Sequence, residues 1–239
     1  MPKQLLLAHR GYMAIAPENT DLAFETANIF GFDGVELDVH LTSDSHLVII
    51  HDETTERTAL ANKTIAKSTL SNLKKDDHSK FFKITVPEQK ILTLKEFLDK
   101  YLKVFKYINV EVKTDIYHYP KIEEKILELS KNYSSDFFDK IIFSSFNFET
   151  LKIMKKLNPK FKLAFLFWKK TEFYKLNAEE IKKVCDYLNP WVDIYDSMKY
   201  KLDKLQKPYL LWTIKSEKIY KKYLKDKKVF GQISNYKWK

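Results

Sequence analysis

Cysteine, glycine and arginine are scarce in this chain of 239 residues. Cys185 is the single cysteine, so no internal disulfide can form, which fits a reducing compartment and points to the cytoplasm. Four glycines and no G-x-G-x-x-G leave no dinucleotide or Walker-type phosphate loop. No apolar run approaches the length of a membrane span, and Leu5-Leu6-Leu7-Ala8 is too short for a signal-peptide core. Of the 42 lysines and arginines, all but Arg10 and Arg57 are lysine. Against that background an arginine directly after His9 stands out, because a planar guanidinium fork matches a phosphate as lysine does not.

What is present is ample for a core. The chain is 44% hydrophobic and 15% aromatic, which excludes disorder. The length suits one large α/β domain or two small ones. The net charge of +10 reads as a lysine-rich solvated surface. The sharper reading is attraction to anionic substrates, or contact with an anionic membrane surface. The lysines are dispersed and no nucleic-acid-binding motif occurs, so no nucleic-acid partner is expected. Oligomeric state is not legible.

Strand and helix signals alternate from end to end. Short runs rich in Val, Ile and Leu, of the kind buried in parallel sheets, end at His9 and cover 35–39, 47–50, 108–112, 141–146, 163–167, 191–195, 209–214 and 229–234. Helices are expected from Pro17-Glu18-Asn19-Thr20 onward, with Asn19 or Thr20 as N-cap. Others are expected over 93–102, 119–132, 147–157 and 178–188. Repeated βα units predict a (β/α)₈ TIM-type barrel first and an open doubly wound sheet second. Nine strands are one more than such a barrel closes with, so one lies outside it. The stretch of about 54–90 breaks the rhythm. It reads as a small cap inserted between the third and fourth strands of a single barrel domain spanning 1–239, with a disordered surface loop as the alternative.

Four clusters carry the chemistry: His9-Arg10-Gly11, Glu36-Leu37-Asp38, His51-Asp52 and Glu111-Val112-Lys113, each at the end of an apolar run. Alternation along a strand puts Glu36 and Asp38 on one side and Val35, Leu37 and Val39 on the other. Glu111 and Lys113 form a second same-face pair. Ions at strand ends are costly as packing and natural as an active site. Three carboxylates without a nearby thiol are hard oxygen ligands for one divalent cation, Mg²⁺ or Ca²⁺; internal salt bridges are the plainer alternative. Two histidines beside such a site can supply a general base and a general acid. His40 shares the face of Glu36 and Asp38 but lies past the strand, and is expected at the surface or just behind the site. These parts describe metal-assisted phosphodiester hydrolysis.

At these residues the sequence resembles the glycerophosphodiester phosphodiesterases, over essentially its whole length. The likeness runs through His9-Arg10-Gly11, Pro17-Glu18-Asn19-Thr20, Asp33 to Val39, Val48 to Asp52 and Arg57-Thr58. It continues in Thr93-Leu94, Glu111-Val112-Lys113, Ser144-Ser145-Phe146 and Trp212-Thr213-Ile214. The resemblance implies a (β/α)₈ fold and hydrolysis of glycerophosphodiesters to sn-glycerol 3-phosphate and an alcohol. It implies His9 and His51 as the acid/base pair, and Glu36, Asp38 and Glu111 as metal ligands. Arg10 and Lys113 would contact the phosphate, with Trp212 a further substrate contact. Lys215 departs from the family's usual Asn, and the C-terminal stretch Gly231 to Tyr236 lacks the family's aspartate and proline. Both departures bear on the shape of the substrate pocket. A lysophospholipase D acting on lipid-tailed substrates would use the same residues, with a wider pocket lined by Phe81 and Phe82. A catalytically inactive relative kept for binding is the reading outside enzymes.

Overall fold

The structure, a computed structural model, describes residues 4–238. Among them ten strands form one sheet: β1 (Leu5–Ala8), β2 (Gly34–Leu41), β3 (Leu47–Ile49), β4 (Leu92–Thr93), β5 (Tyr107–Val112), β6 (Ile141–Ser145), β7 (Lys162–Phe167), β8 (Tyr187–Pro190), β9 (Tyr209–Ile214) and β10 (Val229–Ser234). All but β3 and β4 run parallel, and β1 pairs with both β10 and β2, so eight strands close into a barrel with helices between them. At Gly34 the barrel wall is so tight that a Cβ would lie 2.1 Å from the Tyr107 carbonyl oxygen, which only glycine avoids.

Side-chain alternation builds two cores. Val35, Leu37 and Val39 turn outward into the main core beneath the helices, with Phe24, Phe97 and Val110. Leu7, Ile142, Ala164, Leu210 and Ile233 turn inward and plug the barrel. Beside this plug lies a polar group: Asn109 Nδ2 donates to Ser144 Oγ (2.9 Å), and Asn189 Nδ2 donates to Asn109 Oδ1 (3.2 Å). Helix starts follow the sequence signals. Thr20 caps Asp21–Ile29, Thr93 and Glu96 close a capping box on Leu94–Tyr101, and Asn147 caps Phe148–Leu157.

Three expectations need correction. The strand at 47–50 is the one outside the barrel: β3 runs antiparallel to β2, with Val39 opposite Ile49. Only residues 42–46 separate them, too few for a parallel crossover, and Thr42, Asp44 and a left-handed Ser45 (φ 64°) make the turn. No strand forms at 191–195; Val192–Asp203 is a helix and the barrel strand is Tyr187–Pro190, just upstream. The helix before it, Ala178–Val184, therefore stops short of Leu188. Val192, Tyr195, Met198 and Leu202 recur at helical spacing and form the buried face of the helix Val192–Asp203.

Between β3 and β4 the chain forms short helices at Glu56–Ala59 and Leu70–Leu73 and a 3₁₀ turn at Ile65–Lys67. Ile65 and Leu73 pack with Val48, Ile50 and Ile91 in a small core of their own. His78 is buried here, with Nδ1 3.2 Å from Thr58 Oγ1.

His40 is also buried, not at the surface: its Nδ1 meets the Tyr119 hydroxyl (2.7 Å) and its Nε2 lies 3.1 Å from the His51 carbonyl oxygen. Burial pushes the pKa of both His40 and His78 down to about 4. The unfolded chain therefore binds more protons between that value and 6.5, so this stability is complete above pH 6.5 and is lost as pH falls toward 4. Urea unfolding is expected to show a loss of about 2 kcal/mol per histidine from pH 7 to pH 5. The slope is expected to flatten in His78→Gln.

Candidate active site

The site forms where the strands end. After β1 the chain turns through two left-handed residues, Arg10 (φ 51°) and Gly11 (φ 72°). A Cβ at Gly11 would fall 2.7 Å from that of Ala23, so the turn needs glycine. The turn aims the Arg10 backbone N–H at Glu36 Oε2 (2.9 Å). Glu36 and Asp38 share the inward face of β2, and Glu111 on β5 lies in register with Asp38. Glu36, Asp38 and Glu111 are buried, and each offers a carboxylate oxygen within 4.8 Å of the others.

Cations and amides surround this cluster. Lys113 Nζ donates to Glu111 Oε1 (2.9 Å). Arg10 Nε lies 3.6 Å from Asp38 Oδ2, and Asn19 Nδ2 donates to the same oxygen (2.9 Å). Two histidines stand beside it. His9, at the end of β1, pairs Nδ1 with Asn235 Oδ1 (2.7 Å) and turns Nε2 to 3.8 Å from Glu36 Oε2. Burial, with Arg10 beside it, pushes the His9 pKa down to about 4. His51 arrives by a different route. The β2–β3 hairpin runs back toward the barrel mouth, Ile50 N–H bonds the Asp38 carbonyl (3.1 Å), and His51 follows, with Nδ1 2.6 Å from Asp52 Oδ1. Trp212 donates its indole N–H to the Asn189 carbonyl (2.8 Å) and, with His9, Glu36, Glu111 and Leu166, lines a cavity of about 20 Å³.

The charges do not balance. Glu18, Glu36, Asp38, Asp52 and Glu111 are linked to Arg10, Arg57 and Lys113, five carboxylates against three permanent cations. The strain falls on the cluster. Burial, then Asp38 and Glu111, push the Glu36 pKa well up, and burial raises that of Glu111 despite Lys113. Burial works against Asp38 as well, yet His51, Arg10 and Lys113 pull its pKa down to about 2. A deficit of two positive charges among buried oxygen donors fits a hard divalent cation.

All eight residues singled out in the sequence lie at this end of the barrel: His9, Arg10, Glu36, Asp38, His51, Glu111, Lys113 and Trp212. Sequence reading missed the residues that orient them. Glu18 and Asn19 read in the sequence as a helix start within a family motif, not as partners of Arg10 and Asp38. Asp52 and Arg57 stand in the sequence motifs without an assigned role, and Asn235 lies too far along the chain for its pairing with His9 to be legible.

A model of the glycerophosphoryl diester phosphodiesterase family matches residues 9–233. The chain belongs to that family. It is a phosphoric diester hydrolase by that membership, built on the family's barrel. It is 52% identical over 236 residues to an uncharacterised protein of Mycoplasma genitalium, covering 99% of this chain and 97% of that one. It is 41% identical over 165 residues to a glycerophosphodiester phosphodiesterase of Caldanaerobacter subterraneus, 69% of this chain and 67% of the relative. Among solved structures, a phosphodiesterase of Oleispira antarctica in complex with the product sn-glycerol-3-phosphate superposes with TM-score 0.80 at 25% identity, covering 98% of this chain and 94% of that one. No helix among the described residues is long and apolar enough to cross a membrane.

Proposed function

We propose that this chain hydrolyses glycerophosphodiesters, such as glycerophosphocholine or glycerophosphoethanolamine, to sn-glycerol 3-phosphate and an alcohol. The observation that carries the reading is the buried Glu36–Asp38–Glu111 cluster flanked by two histidines, an arginine and a lysine. The product named for the Oleispira antarctica structure supports it. Glu36, Asp38 and Glu111 are the residues that would hold Mg²⁺ or Ca²⁺. Bound there, the ion would supply Lewis-acid stabilisation of the phosphate's negative charge.

The chain's own groups do the rest. Arg10 and Lys113 hold non-bridging phosphate oxygens. His9, held by the neutral amide of Asn235 with Nε2 toward the cluster, takes the proton of the attacking hydroxyl. His51, backed by the Asp52 carboxylate that stabilises its imidazolium, returns a proton to the departing alcohol oxygen. The segment at 54–90 acts as a cap on this single barrel domain, which works in the cytoplasm.

The test is incubation with glycerophosphocholine, with and without EDTA, assaying glycerol 3-phosphate. Release that is stopped by EDTA and restored by Mg²⁺ or Ca²⁺ is expected; full activity in strong chelator would sink the metal assignment. The attacking hydroxyl is assigned to the glycerol carbon next to the phosphate ester. Attack from there expels the alcohol and closes a low-strain five-membered cyclic phosphate, an arrangement worth up to about 7–11 kcal/mol in well-oriented systems, and water then adds to phosphorus and breaks one ring P–O bond to give glycerol 3-phosphate. An analogue whose free hydroxyl is remote from the phosphate is expected to bind and not react.

A further inference from the structure

The only two arginines of the chain end on one buried carboxylate. Arg10 Nη1 donates to Glu18 Oε1 (2.9 Å). Arg57 donates to the same group twice, Nη2 to Oε1 (2.7 Å) and Nη1 to Oε2 (2.8 Å). The other edge of the Arg57 guanidinium grips Asp52, Nε to Oδ2 (2.6 Å) and Nη2 to Oδ1 (3.1 Å). Asp52 in turn holds His51 Nδ1 at 2.6 Å. We propose that Arg57 is a positioning residue for the hydrolysis, orienting through one guanidinium both the phosphate-binding Arg10 and the proton-carrying His51. The proposal rests on the roles given to Arg10 and His51 above.

Arg57 itself lies outside the barrel wall, on the helix Glu56–Ala59 of the inserted segment, with its guanidinium carbon 5.8 Å from the Phe81 ring centre. It therefore ties that segment to the turn after β1, through Glu18, and to the stretch that follows β3, through Asp52. Lysine could not replace it. An ammonium is one point of charge, whereas two carboxylates in two directions need a planar group with donors on two edges. Charge compensation alone is a poor account of the arrangement. It suits Glu18, whose side chain is 3% exposed, but not Asp52: there Arg57 is 41% exposed and Asp52 27%, and ion pairs that wet add little stability. What the fork supplies is direction. With Asp52 free to rotate, no other hydrogen bond among the described residues fixes the His51 ring. With Glu18 held by Arg10 alone, one of its oxygens is left without its two-toothed partner.

The exposure of Arg57 also makes the proposal testable by chemical rescue. Arg57→Ala is expected to lower kcat for glycerophosphocholine by about 10- to 100-fold, the usual effect of removing a group that orients a metal-site residue. Millimolar guanidinium is expected to restore part of that loss saturably, with equimolar sodium as control. Arg57→Lys is expected to stay near the Ala variant. A second measurement needs no substrate. The His51 ring N–H signal in NMR is expected to be sharp in wild type, broadened in Arg57→Ala, and sharpened again by guanidinium. Arg57→Gln serves the same measurements should the Ala variant not fold. Wild-type kcat in the Ala or Gln variant, or an unchanged His51 signal, would overturn the proposal. So would a loss that tracks the unfolded fraction and resists rescue. A wild-type protein inert toward glycerophosphocholine would instead refute the substrate assigned above, and the His51 signal would still decide what Arg57 does.

Discussion

Glu36→Gln is expected to lower turnover by about 10³-fold or more while leaving the metal-free protein at least as stable as wild type. The two effects have one cause. Glu36 is buried against two further carboxylates, and both burial and their charge oppose its ionised form. An amide removes that repulsion and keeps an oxygen to accept the Arg10 backbone N–H, now at 2.9 Å. What it removes for the reaction is a ligand charge. Several kcal/mol of lost charge stabilisation, at about 1.4 kcal/mol per factor of ten, give the loss in rate. Asp38→Asn is expected to differ in sign. Asp38 is held ionised by Arg10, Lys113 and Asn19, so neutralising it strands buried cations, at about 3–5 kcal/mol for a broken buried pair. Thermal melts in EDTA check both. Mg²⁺ or Ca²⁺ added at about 100 times Kd is expected to stabilise wild type by about 2.7 kcal/mol and each variant by less. Equal destabilisation of the two variants in EDTA would refute this account of the cluster's charge.

His9→Ala and His51→Ala are each expected to lower kcat by roughly 10²–10⁴-fold, the range for a positioned acid or base. Their partners separate the two roles. His9 rests on an amide and His51 on a carboxylate, so His51 is the one built to carry a proton to the leaving oxygen. A glycerol phosphodiester with a p-nitrophenol leaving group needs no such proton. With it, His51→Ala is expected to recover to within about tenfold of wild type, while His9→Ala stays impaired. Recovery of the His9 variant instead would exchange the assignments. Divalent-ion affinity is expected to stay near wild type in both; loss of the ion with either histidine would make that histidine a ligand.

Much of this site was legible because its chemistry sits on regular strands. Period-two alternation is a local property of the backbone, so Glu36 and Asp38 had to share a face, as did Glu111 and Lys113, and the apolar runs around them had to be buried. Repetition of βα units likewise pointed to a barrel, and the shortage of glycine and cysteine excluded the competing phosphate loops and disulfide frameworks.

Other features depended on contacts between residues far apart in the chain. An apolar run does not say which way its neighbour runs, so β3 was placed with the parallel strands although the short turn at 42–46 was a usable signal. Nor did composition separate the strand at Tyr187–Pro190 from the helix that follows. The partners of the histidines were least legible of all. Asn235 meets His9 across 226 residues, and Arg57 meets Glu18 across 39. Local sequence determined which side chains face the barrel mouth, because the strand period is set by the backbone itself. Only the closed barrel decided how those side chains are held, because hydrogen-bond direction and burial arise from groups that the chain brings together when the last strand joins the first.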